Sequence, residues 1–213
     1  MSSVERLSKQ VINQTETLSN FRDRCIHLNL HIQTNQKYFI AIVPGAELSV
    51  KITAFRKNYL TGLNPKDEHK KFPHITLQHT FSRGEEIEDK LHPFLLSLAE
   101  RSHPFEIKLY GSGHFDRRVI FIGIEENPIL VKLHDDLKEI LLSEIDFDSK
   151  EVSVEYHPHI TLEKKIKGAD FNFYWEKIRD IKFEGVFQCD SFSLMRHNGR
   201  IWEEAERFDL KVS

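Results

Sequence analysis

The segments Phe72-Pro-His-Ile-Thr-Leu77 and His157-Pro-His-Ile-Thr-Leu162 contain the same pentapeptide, Pro-His-Ile-Thr-Leu. Isoleucine and threonine are β-branched and favour strands. Because successive side chains of a strand point to opposite faces, the histidine and threonine of each copy share one face. The isoleucine and leucine share the other face, where they would anchor the strand in a hydrophobic core. We therefore predict that each copy presents one imidazole and one hydroxyl on the open side of a sheet.

Similar patterns of residues flank the two copies. Upstream of the first copy, an apolar run at 37–45 predicts a buried strand, and apolar spacing at 48–59 predicts an amphipathic helix. Downstream of it, the same criteria predict a helix at 87–98 and a strand at 104–110. The first motif strand therefore lies between two helices.

The second copy lies in a comparable order of elements. An apolar strand at 118–124 precedes a helix for which Asn127 is the expected N-cap. The motif strand is predicted at 156–163, and a shorter helix follows near 171–178. The chain then closes with a hairpin, for which the Asn198-Gly199 turn is a strong signal.

These elements predict an α+β fold with two pseudo-symmetric β-α-β-α-β lobes, whose antiparallel sheets line a central cleft and whose helices lie outside. The first lobe would span about 37–112 and the second about 113–213, within one domain at 37–213. Residues 1–36 lie outside the repeat as an N-terminal helical extension. Their heptad-like apolar spacing suggests a helix that either packs on the domain or mediates self-association.

The composition limits the classes of function. The 213 residues are 39% hydrophobic, enough for a core, and the net charge of -3 gives no global basic field for duplex nucleic acid. The cysteines, Cys25 and Cys189, show no metal-binding or redox spacing and are expected to be buried free thiols. The N-terminus lacks the apolar stretch of a signal peptide, and no segment resembles a membrane span. We expect a cytoplasmic protein without membrane association.

Two histidines brought together by a twofold arrangement suit displacement at phosphorus. One neutral imidazole accepts a proton from the attacking water or hydroxyl, and one imidazolium donates a proton to the leaving oxygen. Histidine fits both tasks because its ordinary pKa of about 6.5 lets both forms exist near neutral pH. The hydroxyls of Thr76 and Thr161 can donate to the non-bridging phosphate oxygens. His74 and His159 are therefore the candidate catalytic residues, and the chemistry requires no metal or other cofactor.

Three alternatives remain open from the residues alone. His74 and His159 could be ordinary core histidines. A zinc site is conceivable because His157 shares a face with His159, and His79 is near His74. The motifs could also bind phosphate without catalysing a reaction.

The paired His-x-Thr motifs, the duplicated lobes and the closing hairpin resemble the 2H phosphoesterase superfamily. This superfamily includes the bacterial RNA 2′,3′-cyclic phosphodiesterases, also called 2′-5′ RNA ligases. The resemblance covers roughly Lys37 to Leu210, and the FPHITL, YHPHITL and FSLMRHNGRIW segments are closest to a bacterial 2′-5′ RNA ligase family. It implies that the histidines and threonines of both motifs line the cleft. By analogy, the first-motif histidine is the general acid and the second is the general base.

The expected function is therefore hydrolysis of a 2′,3′-cyclic phosphate on an RNA end or a nucleotide. The alternatives are a 2′-5′ RNA ligase, a phosphodiesterase for 2′-5′-linked or cyclic dinucleotides, and a non-catalytic module that binds RNA or nucleotides in the same cleft. Candidates for further substrate contact are His157, Lys165 or its neighbour Lys164, Tyr38 and Phe115.

The sequence also predicts the orientation or exposure of three other polar residues near the motifs and the hairpin. By strand parity, His79 should face away from His74 unless a bulge intervenes. Arg196 and Arg200 flank the hairpin turn and are expected to be exposed to solvent.

Overall fold

A computed structural model describes residues 35–63, 72–152 and 155–212. The predicted N-terminal helix, its proposed self-association and Cys25 therefore lie outside the described residues. From Gln36 onward, the chain forms one compact unit. The strands are β1 (Gln36–Ile42), β2 (Ile75–Arg83), β3 (Phe105–Phe115), β4 (Val119–Ile124), β5 (His159–Lys164), β6 (Glu184–Cys189), β7 (Ser191–His197) and β8 (Trp202–Asp209). The helices are α1 (Ala46–Leu60), α2 (Glu86–Glu100), α3 (Pro128–Ser143) and α4 (Gly168–Ile178).

All these strands join one curled antiparallel sheet, so the predicted α+β class is confirmed. The strand order is β6-β3-β4-β5-β2-β1-β7-β8, which makes the two motif strands central neighbours. Among the described residues, β2 and β5 pair through Ile75 and Ile160, the isoleucines of the two motifs. The repeated pentapeptides therefore meet at the join between the two halves of the sheet.

Each half of the sheet draws strands from both halves of the sequence, which differs from the predicted lobes. Strand β3, expected to close the first lobe, pairs instead with β4 and β6. The β7–β8 hairpin, expected in the second lobe, adds to β1. A tight turn between β3 and β4 explains why β3 pairs with β4. Asp116 and Arg117 in this turn both have positive φ, as in a type I′ turn. Neither residue is the asparagine or glycine that usually signals such a turn.

Strand β6 was not predicted as a separate element. It lies at one edge of the sheet, and its exposed residues alternate with partly buried ones. Glu184 and Gly185 at its start have low strand propensity, so local sequence gives little indication of it.

The core lies between the sheet and its helices. Ile75, Leu77, Ile160 and Leu162 are all at most 3% exposed, as strand parity predicts. Asn127 caps α3 as expected, because its side-chain oxygen accepts hydrogen bonds from the backbone N–H groups of Ile129 and Leu130. The motif strands are therefore anchored through their apolar face, which leaves the other face open.

Strand β1 shows the same division between the two faces. Tyr38, Ile40 and Ile42 enter the main core, whereas Phe39 and Ala41 join a separate small cluster with Met195. Cys189 is a buried free thiol, as predicted, and burial raises its pKa to about 12. No helix within the described ranges is long and apolar enough to cross a membrane.

Candidate active site

The pairing of β2 with β5 determines how the two motifs meet. Since Ile75 lies opposite Ile160 in an antiparallel pair, the register places His74 opposite Thr161 and Thr76 opposite His159. All four side chains project from the face that the helices do not cover. The positive form of His159 lowers the pKa of His74, which is consistent with their proximity. The two His-x-Thr motifs thus form one crossed cluster rather than two separate sites.

A cavity of about 440 Å³ opens beside this cluster. His74, Thr76 and Thr161 line it directly, whereas His159 is not among its lining residues and lies opposite Thr76 in the register of β2 and β5. The volume lies within the range of about 300–1,000 Å³ that is typical of small-molecule sites. The other lining residues are Phe39, Phe72, His79, Thr80, Leu162, Glu163, Lys164, Lys165, His197, Arg200, Ile201 and Trp202.

His74 is held by one hydrogen bond and two aromatic rings. Its Nδ1 lies 2.9 Å from the carbonyl oxygen of Phe72, and because a carbonyl can only accept, Nδ1 must carry the proton. The rings of Phe39 and Phe72 have centroids 5.0 and 4.9 Å from the imidazole. In the neutral ring, this arrangement leaves Nε2 as the proton acceptor.

Burial is the main reason that the pKa of His74 lies below its ordinary value. The charges of Lys164 and His159 lower the pKa further, while the hydrogen bond to Phe72 opposes the shift.

His159 repeats this geometry with different neighbours. Its Nδ1 donates to the carbonyl oxygen of His157 at 2.7 Å, so its neutral ring also leaves Nε2 as the acceptor. The rings of Phe115 and Phe121 both have centroids 5.0 Å from the imidazole. Burial lowers the pKa of His159, the charge of His157 adds to that effect, and the hydrogen bond to the His157 carbonyl opposes it.

Gly113 provides the space that Phe121 occupies beside His159. The two residues are partners across β3 and β4, and a Cβ atom at Gly113 would overlap the Phe121 ring. The absence of a side chain at this position lets the ring lie across β3, in contact with both Phe115 and His159.

Both motif strands contain a bulge at the same place. Thr76 pairs with Ala41, but Gln78 pairs with the next residue of β1, so Leu77 is the extra residue. In the same way, Thr161 pairs with Phe121 and Glu163 pairs with Ile120, which makes Leu162 the extra residue. After the bulge the alternation is reversed, and His79 and Lys164 return to the cavity face. The bulge is therefore the exception to strand parity that brings His79 to the same face as His74.

The remaining candidates for substrate contact differ in their positions. Phe115 lies beside His159, and Lys165 lines the cavity. The exposed imidazole of His157 lies 3.4 Å from Glu155, while its backbone carbonyl orients His159. The prediction that Tyr38 contacts substrate is wrong. Tyr38 is fully buried on the helix side of β1, where its hydroxyl donates to the Glu88 carboxylate at 3.0 Å.

The two arginines near the hairpin turn also differ from each other. Arg196 is half-buried and pairs with Glu88 at 2.9 Å and Glu203 at 3.0 Å, so the expectation of a simple solvent-exposed side chain is wrong. Arg200 is exposed, as expected, but it lines the cavity.

Sequence reasoning missed the aromatic wall next to His74. Phe39, Phe72 and Trp202 form this wall, with Trp202 edge-on to Phe39 at 4.6 Å. Parity alone separates Phe39 from Tyr38, but only the register with β2 shows which of them faces the motif histidine. In the described part of the chain, no group of three or more histidine, cysteine or acidic side chains is placed to hold a metal ion.

Comparison with known sequences agrees with the paired motifs. A sequence model described as the 2′-5′ RNA ligase superfamily matches residues 44–200, which include both motifs. The chain belongs to the 2′-5′ RNA ligase superfamily. The resemblance to 2H phosphoesterases inferred from the motifs is thereby confirmed.

Several bacterial proteins are similar to this superfamily member over most of its length. A Geobacillus kaustophilus protein named "Putative phosphoesterase" is 30% identical over 165 residues, covering 75% of this chain and 87% of the relative. A Bacillus cytotoxicus protein with the same description is 26% identical over 179 residues, covering 82% and 96%.

Solved structures show the same fold at lower sequence identity. Escherichia coli LigT, crystallised with 3′-AMP, superposes with a TM-score of 0.67 at 22% identity, covering 84% of this chain and all (100%) of LigT. A Thermus thermophilus protein superposes with a TM-score of 0.63 at 23% identity, covering 82% and 97%. The fold of this superfamily member is therefore LigT-like.

Proposed function

We propose that this protein is a metal-independent phosphoesterase that hydrolyses a 2′,3′-cyclic phosphate on an RNA end or a nucleotide. His74 and His159 act as the acid–base pair. The observation that carries the proposal is the crossed register at Ile75 and Ile160, which brings both His-x-Thr motifs to one place. A core histidine would not require the same partner geometry twice, whereas a displacement at phosphorus uses two proton-transfer groups at one centre.

In the proposed reaction, a water molecule attacks the phosphorus of the cyclic phosphate. The Nε2 atom of one neutral imidazole accepts a proton from that water as the new P–O bond forms. The bond from phosphorus to one ribose oxygen breaks, and the other histidine, as an imidazolium, donates a proton to that oxygen. Thr76 and Thr161 donate hydrogen bonds to the non-bridging oxygens, where negative charge must be stabilised. The product is a ribose monophosphate with a free neighbouring hydroxyl.

The reaction needs one protonated histidine, although the pKa of each is lowered by burial. A bound phosphate anion favours the imidazolium form, so substrate binding supplies the missing stabilisation. By analogy with the superfamily, His74 is the acid and His159 the base.

The relatives support a nucleotide substrate. LigT has been crystallised with 3′-AMP, ATP, NADP+ and phosphate, and the bacterial relatives are named as phosphoesterases. The fold shared with LigT makes the same class of ligand a reasonable one for the cavity in this chain.

Hydrolysis of adenosine 2′,3′-cyclic phosphate tests the proposal. We expect turnover by the wild type in the presence of EDTA, and loss of turnover in His74→Ala and His159→Ala. His103→Ala is a matched control, because this exposed histidine lies outside the cavity and bonds to the Lys211 carbonyl. Circular dichroism would establish that each variant is folded. Full activity in both motif variants would contradict the mechanism, and activity lost on chelation but restored by zinc would favour a metal site.

Ligation is the second candidate function, since the superfamily carries that name. In that reaction the 5′-hydroxyl of a second RNA takes the place of water, the phosphorus–O3′ bond breaks, and a 2′-5′ linkage forms. The same two proton transfers suffice. A panel with a cyclic-phosphate RNA, a 5′-hydroxyl RNA, and 2′-5′-linked and cyclic dinucleotides separates these activities. Tight binding without turnover of any member would instead favour a non-catalytic nucleotide-binding module.

A further inference from the structure

The cavity carries a concentration of positive charge that the whole chain does not have. The protein has a net charge of -3, yet Lys164, Lys165 and Arg200 all line the cavity. The charge of Lys164 lowers the pKa of His74. The two motifs can hold a single phosphate without Lys165 and Arg200, so the positive charges of these two side chains are available to a second anionic group.

The backbone at Lys165 is in an unusual conformation. Its φ of 60° lies in the left-handed region, which side chains other than glycine rarely adopt. The next residue fixes this conformation: Ile166 is 3% exposed, and its N–H donates to the Arg118 carbonyl at 3.0 Å. The turn allows both Lys164 and Lys165 to line the cavity, where regular alternation would direct them to opposite faces. Strained conformations of this kind concentrate at functional sites.

Arg200 lies on a loop with defined geometry. The side-chain oxygen of Asn198 accepts hydrogen bonds from the N–H groups of Arg200 and Ile201, both at 3.0 Å. Gly199 has a φ of 92°, which glycine adopts without strain. The turn that ends β7 therefore holds Arg200 at the cavity wall.

In the part of the chain that the structure describes, Lys165 and Arg200 differ from Arg196 in their acidic neighbours. Within the described residues, no carboxylate pairs with the side chain of Lys165 or Arg200, whereas Arg196 pairs with two glutamates. Among the described lining residues, Glu163 alone is acidic; it is 1% exposed, and its side chain accepts the backbone N–H of Lys164 at 3.0 Å. An anion in the cavity would therefore meet two cations without displacing an existing ion pair.

We propose that Lys165 and Arg200 bind a second phosphate of the substrate, on the 5′ side of the ribose whose cyclic phosphate lies between the two motifs. The protein would then prefer a cyclic-phosphate end with a 5′ phosphate group over a cyclic mononucleoside phosphate. That group is either the internucleotide phosphodiester of an RNA end or the 5′-monophosphate of a single nucleotide. This inference rests on the proposed hydrolysis of cyclic phosphates.

Three substrates test the inference: adenosine 2′,3′-cyclic phosphate, its 5′-phosphorylated form, and the dinucleotide ApA with a terminal 2′,3′-cyclic phosphate. We expect kcat/KM to be about tenfold or more higher for the two substrates with a second phosphate, the gain expected from a charge-assisted hydrogen bond. A gain limited to the dinucleotide identifies an RNA end as the source, and a gain for both identifies the phosphate alone. Equal kcat/KM for all three would overturn the inference but leave the proposed hydrolysis intact, whereas hydrolysis of none would count against the proposed function itself.

Charge-removing variants locate the subsite. In Lys165→Ala and Arg200→Ala, the ratio of kcat/KM with and without the second phosphate should fall toward one, and the wild-type ratio should fall with added salt. Lys132→Ala is the matched control, because this exposed lysine lies on α3 and pairs with Asp136. We expect the control to keep the wild-type ratio. An unchanged ratio in both cavity variants would contradict the assignment to Lys165 and Arg200.

Discussion

The half-sites around His74 and His159 share their backbone geometry but differ in the side chains that surround them. In both, Nδ1 donates to the carbonyl two residues earlier, across a proline. The aromatic neighbours are not at equivalent positions, because Thr76 pairs with Ala41 whereas Thr161 pairs with Phe121. The two repeats therefore share the backbone hydrogen bond that leaves Nε2 of each neutral imidazole as the acceptor.

The difference between the half-sites concerns the space beside each histidine. The cavity extends from His74 toward the hairpin, past Phe39 and Trp202. His159 is instead packed between Phe115 and Phe121, and Gly113 makes room for the second ring. We infer that the His74 half accommodates most of the substrate, while the His159 half mainly holds its imidazole in place.

Among the variants that compare the two half-sites, those of the motif threonines should change kcat most. Thr76→Val and Thr161→Val each remove one donor to the phosphate oxygens, and each should lower kcat by about 10²–10³-fold. Thr→Ser at the same positions keeps the hydroxyl and should retain most of the activity. Steady-state kinetics on a cyclic phosphate would measure both pairs. A large loss at one threonine and none at the other would show that only one motif contacts the phosphate.

An intermediate effect should come from Gly113 and should be confined to the His159 half. In Gly113→Ala the new methyl group displaces the Phe121 ring, and through it His159, so kcat should fall by on the order of tenfold to a hundredfold. Overpacking should also lower the free energy of unfolding by about 1–3 kcal/mol.

Two further variants control the Gly113 experiment. Gly45→Ala places its Cβ where no atom lies within 4 Å, so it should leave kcat unchanged. Adding Phe121→Leu to Gly113→Ala makes room for the methyl group and should recover stability. Wild-type kcat in Gly113→Ala would mean that the position of Phe121 does not matter to His159.

The smallest effect should be a shift in the pH profile. Because burial lowers the pKa of both histidines, the optimum of kcat/KM should lie below about pH 6.5, and activity should fall as rising pH deprotonates the acid. Lys164→Gln removes a positive charge near His74 and so raises the pKa of His74. If His74 is the acid, the alkaline limb of the profile moves to higher pH. Movement of the acidic limb alone would reverse the assignment of acid and base.

Much of the fold could be predicted from sequence because the relevant signals are local. Alternation in the pentapeptide correctly assigned Ile75 and Leu77 to the core, and Asn127 correctly marked the start of α3. Strand pairing has no comparable local signal in the sequence. Asp116 and Arg117 make a tight turn without the usual residues, so the transfer of β3 to the other half of the sheet was missed.

The candidate site could be predicted only in its repeated part. A bulge is a property of two paired strands, so the return of His79 to the cavity face depended on its partners in β1. Sequence alone does not distinguish Tyr38 from its neighbour Phe39, because a single strand has two faces and nothing local indicates which one meets the motif. Lys165 and Arg200 reach the cavity through turns that follow their strands, where alternation no longer applies.

A crystal structure with a bound nucleoside monophosphate or phosphate would test most directly whether both motifs act on one phosphate. We predict one phosphate group between the motifs, with the Nε2 atoms of His74 and His159 each about 3 Å from one of its oxygens. The hydroxyls of Thr76 and Thr161 should donate to the same group. A phosphate that contacts only one motif, with the other imidazole directed elsewhere, would contradict the paired-histidine mechanism.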